Sequence, residues 1–161
     1  MSRSFLAAGA ITAALVIPPA ALAQRDGAPN SQPTLTVSQC SAQIAVKSWS
    51  VGIDNSSSAG RASLGPLTVT KSFDACSPFL AESAARGRHI QKATLVEYTT
   101  SGVPALTIEL QDVMVEKYLL DDPSAAVGTA ETLALSYGKI TIENSASNTK
   151  FCWDVGKNAL C

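Results

Sequence analysis

Four cysteines, one histidine and a scatter of carboxylates are the side chains of this 161-residue sequence whose types could do chemistry. Cys40, Cys76, Cys152 and Cys161 can be read as disulfides, as thiols or as zinc ligands. Zinc wants closely spaced cysteine pairs, and here the gaps are wide and irregular. An even count in an exported chain predicts disulfides. Four cysteines allow three pairings, and sequence does not choose among them. Cys152 and Cys161 are near enough to close a short C-terminal loop; that choice would leave Cys40 for Cys76 and tie the start of the fold to the start of a helix.

His89 is the single histidine. A Ser-His-Asp apparatus needs an imidazole held by an acid and facing a nucleophile, and the chain has no Gly-x-Ser-x-Gly elbow. His89 follows a helix stop, where imidazole caps carbonyls or packs. One histidine and dispersed acids make no metal-ligand cluster. Asp121 and Asp122 are adjacent and read as a solvated loop, because a calcium loop needs several spaced oxygens. Glu97, Glu109, Asp112 and Glu116 fall on the polar phases of expected strands, which is a solvated face rather than a glycosidase carboxylate pair. Trp49 and Trp153 alternate with polar neighbours and read as core anchors. The expectation is a protein that is not an enzyme and has no cofactor, metal or catalytic residue. A His89-dependent hydrolase is the weakest of the readings.

The elements that position these residues begin with a targeting segment. Residues 1–23 read as a secretory signal peptide. Arg3 supplies the positive charge, residues 5–17 are an uncharged apolar run, Pro18 and Pro19 break it, and Ala21-Leu22-Ala23 is a small-x-small cleavage site. The run falls short of the roughly 20 apolar residues that span a bilayer. No cysteine stands at the cleavage site for a lipid, and no arginine pair precedes the apolar run. The expected product is periplasmic or secreted, cleaved after Ala23, with no membrane attachment afterwards. Taking Arg3 from the 12 basic residues leaves 11 against 13 acidic ones, a net charge near −2. Such a surface does not track a phosphate backbone, so nucleic acid is not an expected partner.

Residues 24–42 are expected to be a flexible leader and 43–161 the folded domain. Ile44 and Val46 alternate with polar residues, then Trp49, Val51 and Ile53 alternate in the other phase, which predicts a strand with a slip near Lys47-Ser48. Leu67, Val69 and Phe73 mark a second strand. Ser77 reads as a helix N-cap, Pro78 as the first helical residue and Gly87 as the stop. Residues 90–100, the turn at Ser101-Gly102 and a long return strand read as a hairpin. In that return strand Leu106, Ile108 and Leu110 give way to Val113, Val115 and Leu119, which predicts a bulge at Gln111-Asp112. Leu133, Leu135 and Tyr137 similarly give way to Ile140 and Ile142. Long strands that change phase suit a closed barrel.

One ordered set of motifs resembles a known family. Thr70-Lys71, Asp74, Ser77-Pro78-x-Leu80, Gly87-Arg88-His89 and Lys92-Ala93-x-Leu95 are similar to the central signature of the haemolysin-coregulated protein (Hcp) family, the inner-tube protein of type VI secretion. Val46-x-x-Trp49-Ser50-x-Gly52, Ile108-Glu109-Leu110-x-Asp112-Val113-x-Val115 and Phe151-Cys152-Trp153-Asp154 fit its other strands. The match runs in order over about 46–159. It implies a mainly β fold, a compact two-sheet β-barrel with one short α-helix. It also implies hexameric rings that stack and carry small effector proteins, and no catalytic residues. Trp49, Lys71, Asp74, Ser77, Pro78, Gly87, His89, Trp153 and Asp154 then belong to the framework, and no toxin domain is expected behind the barrel. The signal peptide and the cysteines depart from a tube assembled in the cytosol, and both point to folding outside it. An alternative is a monomeric periplasmic or secreted binding module that kept the barrel and lost the ring. If 1–23 is retained, the chain would be an ordinary cytosolic tube subunit.

Overall fold

Alternating apolar and polar side chains send neighbours to opposite faces of an extended backbone, and this pattern carries most of the chain into antiparallel strands. The computed structural model describes residues 31–55, 62–121 and 129–161. The expected signal segment and its cleavage site lie outside these residues. In chain order the elements are β1 (Thr34–Val37), β2 (Cys40–Ser50), β3 (Ile53–Asp54), β4 (Ser63–Leu64), β5 (Leu67–Ser72), α1 (Ser77–Arg86), β6 (His89–Tyr98), β7 (Pro104–Asp121), β8 (Ala130–Asn144), β9 (Thr149–Asp154) and β10 (Ala159–Leu160).

Six strands run side by side in the order β8, β5, β2, β1, β6, β7, and β7 pairs back onto β8. That closure makes a mainly β barrel with, among the described residues, one short helix, as the family resemblance implies. The first half of β8 pairs with β5 and the second half with β9, so β9 and β10 extend one wall beyond the barrel. A separate small ladder joins β3 to β4. Leu35, Ile44, Val46, Leu67, Val69, Leu80, Leu95, Leu110 and Leu133 are among the buried residues of the core. Among the described residues no helix is long and apolar enough to cross a membrane.

Among the described residues the first strand begins at Thr34, ahead of the boundary expected at Gln43. Leu35 is fully buried, and β1 pairs with both β2 and β6. Residues 34–37 and 40–42, expected in the flexible leader, are therefore part of the sheet; the polar composition of the segment hid the short alternation Thr34-Leu35-Thr36-Val37. The slip near Lys47-Ser48 is present as a register shift between Val46 and Ser48 against β5. Phe73 stands just past β5 and is exposed.

The bulge expected at Gln111-Asp112 is a different feature. The ladders of β7 with β6 and with β8 keep their register through this point. Yet the buried side chains of β7 switch from Ile108 and Leu110 to Val113 and Val115. In β8 they switch from Leu135 and Tyr137 to Ile140, and in β6 from Ile90 to Ala93 and Leu95. Three neighbouring strands change face in one row. Such a row is a corner, where strands bend from one wall of the barrel into the other. Asp112 takes φ 53 there, a left-handed conformation that an Asp tolerates better than most residues. The true register shift in β7 lies between Val115 and Lys117. Beyond it Tyr118 is half-buried and Leu119 exposed, against the expected Val113, Val115, Leu119 alternation.

Ser77 is not the N-cap. Cys76 is, and Ser77 is the first helical residue, with Pro78 in the first turn, where a missing N–H leaves nothing unpaired. The Asp74 carboxylate accepts the Cys76 N–H at 2.8 Å and shapes the entry turn. Gly87 ends the helix at φ 59, the left-handed stop expected of it.

Candidate functional site

Lys71 lies on the inward phase of β5 and Glu131 on the inward phase of β8, and the two residues are cross-strand partners. Both side chains are fully buried, and Lys71 Nζ donates to Glu131 Oε2. Buried charges persist only when paired and hydrogen-bonded, and this pair is well supplied. Lys71 Nζ also donates to Ser77 Oγ at 2.9 Å and to the Ser72 carbonyl at 2.9 Å, and it stands 3.0 Å from Asp74 Oδ2. Ser77 Oγ donates to Glu131 Oε2 at 2.9 Å and accepts the Asp74 N–H at 2.8 Å. The Tyr118 hydroxyl donates to Glu131 Oε1. Burial, and then that hydrogen bond to a carboxylate, push the Tyr118 hydroxyl well above its ordinary pKa.

This cluster unites three residues of the family-like signature, Lys71, Asp74 and Ser77. A serine beside a lysine has the composition of a nucleophile and its base. Here Ser77 is fully buried, its proton goes to Glu131, and its lone pairs take the Lys71 ammonium and the Asp74 N–H. The hydroxyl is a strut between α1, β5 and β8. Sequence reasoning missed Glu131 and Tyr118. Glu131 had a visible signal: it occupies the apolar phase of Leu133, Leu135 and Tyr137. Tyr118 had none, because a register shift sets its direction.

The remaining sequence-derived residues spread over the barrel. His89 opens β6 at the corner, and its Nδ1 lies 2.6 Å from Asp112 Oδ1 with both side chains exposed. That pair is a surface bridge across the bend, with an acid but no hydroxyl among its partners. Trp49, opposite Val69, is partly buried against the core. Trp153 faces Ile140 and stacks on Phe151 with ring centroids 6.3 Å apart. Asp154 accepts the Lys157 N–H at 3.0 Å and shapes the turn from β9 to β10; that backbone hydrogen bond lowers its pKa. A hollow of about 330 Å³, lined by Gln111, Asp112, Gly138, Lys139, Asp154 and Gly156, opens on this side of the corner. Among the described residues no three His, Cys, Asp or Glu side chains converge as a metal site.

The cysteines form two bonds, Cys40 to Cys76 with Cα atoms 6.0 Å apart and Cys152 to Cys161 with Cα atoms 5.4 Å apart. The first ties β2 to the helix entry turn. The second fastens the C-terminal strand to the outermost wall. They are the pairing for which the spacing of Cys152 and Cys161 argued.

The comparisons with known proteins agree with this architecture. The family model described as "Type VI secretion system effector, Hcp" matches residues 33–143. The fold is similar to that of Hcp1 from Salmonella typhimurium, with a TM-score of 0.71 at 22% identity, covering 81% of this chain and 98% of that one. A type VI secretion system effector from Yersinia pestis gives a TM-score of 0.66 at 20% identity, covering 76% and 99%. The secreted protein Hcp3 from Pseudomonas aeruginosa gives 0.61 at 18%, covering 76% and 97%. No curated protein sequence matches the chain. The family model spans β1 through nearly all of β8 and takes in the whole buried ion cluster, so this chain belongs to the Hcp family of type VI secretion proteins.

Proposed function

We propose that this chain is an exported structural subunit of the Hcp type that assembles with copies of itself into rings, six to a ring as the family resemblance implies. The rings stack or enclose a small effector protein in their lumen. The observation that carries the reading is the family barrel fastened by two disulfides. Disulfides persist where folding takes place in an oxidising compartment, which supports cleavage of 1–23 after Ala23 and residence in the periplasm or outside the cell. The relative from Pseudomonas aeruginosa is itself described as secreted. The role is structural rather than enzymatic: the buried serine is committed to the fold, and His89 is a surface bridge. Head-to-tail contacts between unlike patches close such a ring. The family-signature residues Trp49, Lys71, Asp74, Ser77, Pro78, Gly87, His89, Trp153 and Asp154 hold the wall that the ring needs.

The absolute mass of the oxidised protein, by light scattering after size exclusion, tests this reading. A mass of about six subunits supports the ring. A monomer at high concentration moves the reading to a binding module that kept the barrel. N-terminal sequencing of the protein from separated cell fractions tests export, and a cytosolic protein that still carries 1–23 would overturn it.

A further inference from the structure

The Cys40–Cys76 bond ends on the N-cap of α1. Residues 74–77, the turn that it holds, also furnish two of the partners of Lys71: the Asp74 carboxylate and the Ser77 hydroxyl. Ser77 reaches on to Glu131. One covalent bond and one buried ion cluster therefore share a turn. The helix that follows has little of its own to hold it. It has ten residues, no side-chain cap and no acid in its first turn. Isolated helices below about 12–15 residues are marginal in water. Its place depends on the docking of Leu80 and Ser83, with Phe79 and Ala84 partly buried beside them, and on the turn before it.

We propose that the Cys40–Cys76 bond is a folding latch. Its oxidation docks the entry turn of α1 onto the Lys71–Glu131 pair, and its reduction releases that turn and the helix while the strands stay paired. Closing the latch converts two thiols to one disulfide. Two electrons and two protons pass to a disulfide oxidant such as oxidised glutathione, which leaves as two thiols. Opening is the reverse. An external thiolate attacks the sulfur of Cys40, the more accessible of the two residues, and Cys76 departs as a thiolate and takes a proton. A chain made among reduced thiols would hold α1 undocked and lock on meeting an oxidant. The latch does not depend on ring formation, and it operates whatever the route of export.

Linkage makes the effect reciprocal: whatever strengthens docking strengthens the disulfide by the same factor. The test equilibrates the full chain with mixtures of reduced and oxidised glutathione, quenches by alkylation and reads each cysteine pair by mass spectrometry. Ser77→Ala is expected to lower the equilibrium constant of Cys40–Cys76 about tenfold, the worth of one buried hydrogen bond to a charged group. The Cys152–Cys161 constant serves as the internal control and is expected to change by less than about twofold, since distant sites are nearly independent. Asp74→Asn, at a partly exposed position, repeats the measurement with an expected shift of about threefold. Hydrogen exchange on Cys40→Ser/Cys76→Ser supplies a second reading, in which α1 amides lose protection and β7–β8 amides keep theirs. An unchanged Cys40–Cys76 constant in both variants overturns the latch. Equal weakening of both disulfides, or α1 amides that stay protected without the bond, overturns it as well.

Discussion

Replacing Lys71 with Met tests whether the buried cluster acts as a unit. Met fills nearly the same volume, so the substitution leaves little cavity and removes the charge alone. Glu131 stays buried, with Ser77 and Tyr118 as its remaining donors. Breaking a buried ion pair from one side costs about 3–5 kcal/mol. For roughly 120 described residues the unfolding entropy is about 0.25 kcal/mol/K. Tm should therefore fall by about 12–20 °C. The double variant Lys71→Met/Glu131→Leu removes both fully buried charges and leaves the Tyr118 and Ser77 hydroxyls, the Ser72 carbonyl and the partly exposed Asp74 carboxylate without their partner, so it should lie within about 1–3 kcal/mol of wild type. Thermal and urea unfolding followed by circular dichroism, with both disulfides kept oxidised, measure each variant. A Lys71→Met loss below about 1 kcal/mol would refute the reasoning, as would a double variant no more stable than Lys71→Met.

Three other outcomes follow from the geometry. Burial raises the pKa of Tyr137 to about 12, and its hydroxyl donates to the Gly65 carbonyl at 2.9 Å. A raised tyrosine pKa means the fold favours the neutral form, so its stabilisation is whole below pH 10 and is lost as pH climbs towards 12; urea midpoints should drop with pH over that window, and less steeply in Tyr137→Phe. Cys152→Ala/Cys161→Ala opens a loop with a sequence separation of 9, which the chain-entropy account values at about 2.5 kcal/mol; urea unfolding should report a loss of that order. Gly138→Ala would set a Cβ 3.2 Å from the Cβ and Oδ2 of Asp112, a crowding worth about 1–3 kcal/mol, and the same change in an Asp112→Gly background should lose most of that cost.

The sequence was legible where one side chain's direction followed from its neighbours' alternation, and opaque where direction came from a partner strand. Ile44 and Val46, Leu67 and Val69, and Leu133 and Leu135 point inward as their period of two requires, and Gly87 closes the helix as its freedom of φ permits. The corner misled because a phase change in one strand looks the same whether a residue is inserted or the whole sheet bends. Only the neighbours distinguish them: β6 and β8 change face in the same row as β7, and their ladders do not slip. Ser77 misled because a serine before Pro78 has the form of a cap, while its hydroxyl is worth more inside. Caps contribute about 1 kcal/mol, whereas bonds to buried charges contribute about 1.5–3 kcal/mol. The same comparison explains how the ion cluster could have been read. Lys71 and Glu131 each interrupt an apolar phase, and a lone charge there would be intolerable. Two such interruptions of opposite sign, each at one end of an otherwise apolar strand, imply that the strands are neighbours in a register that brings the charges together. The observed pairing of Lys71 with Glu131 is that register, and a one-residue slip would send one of the charges to the opposite face. The cluster thus does for β5 and β8 what apolar burial alone does weakly: it selects one alignment of two strands whose hydrophobic faces would tolerate a slip by two.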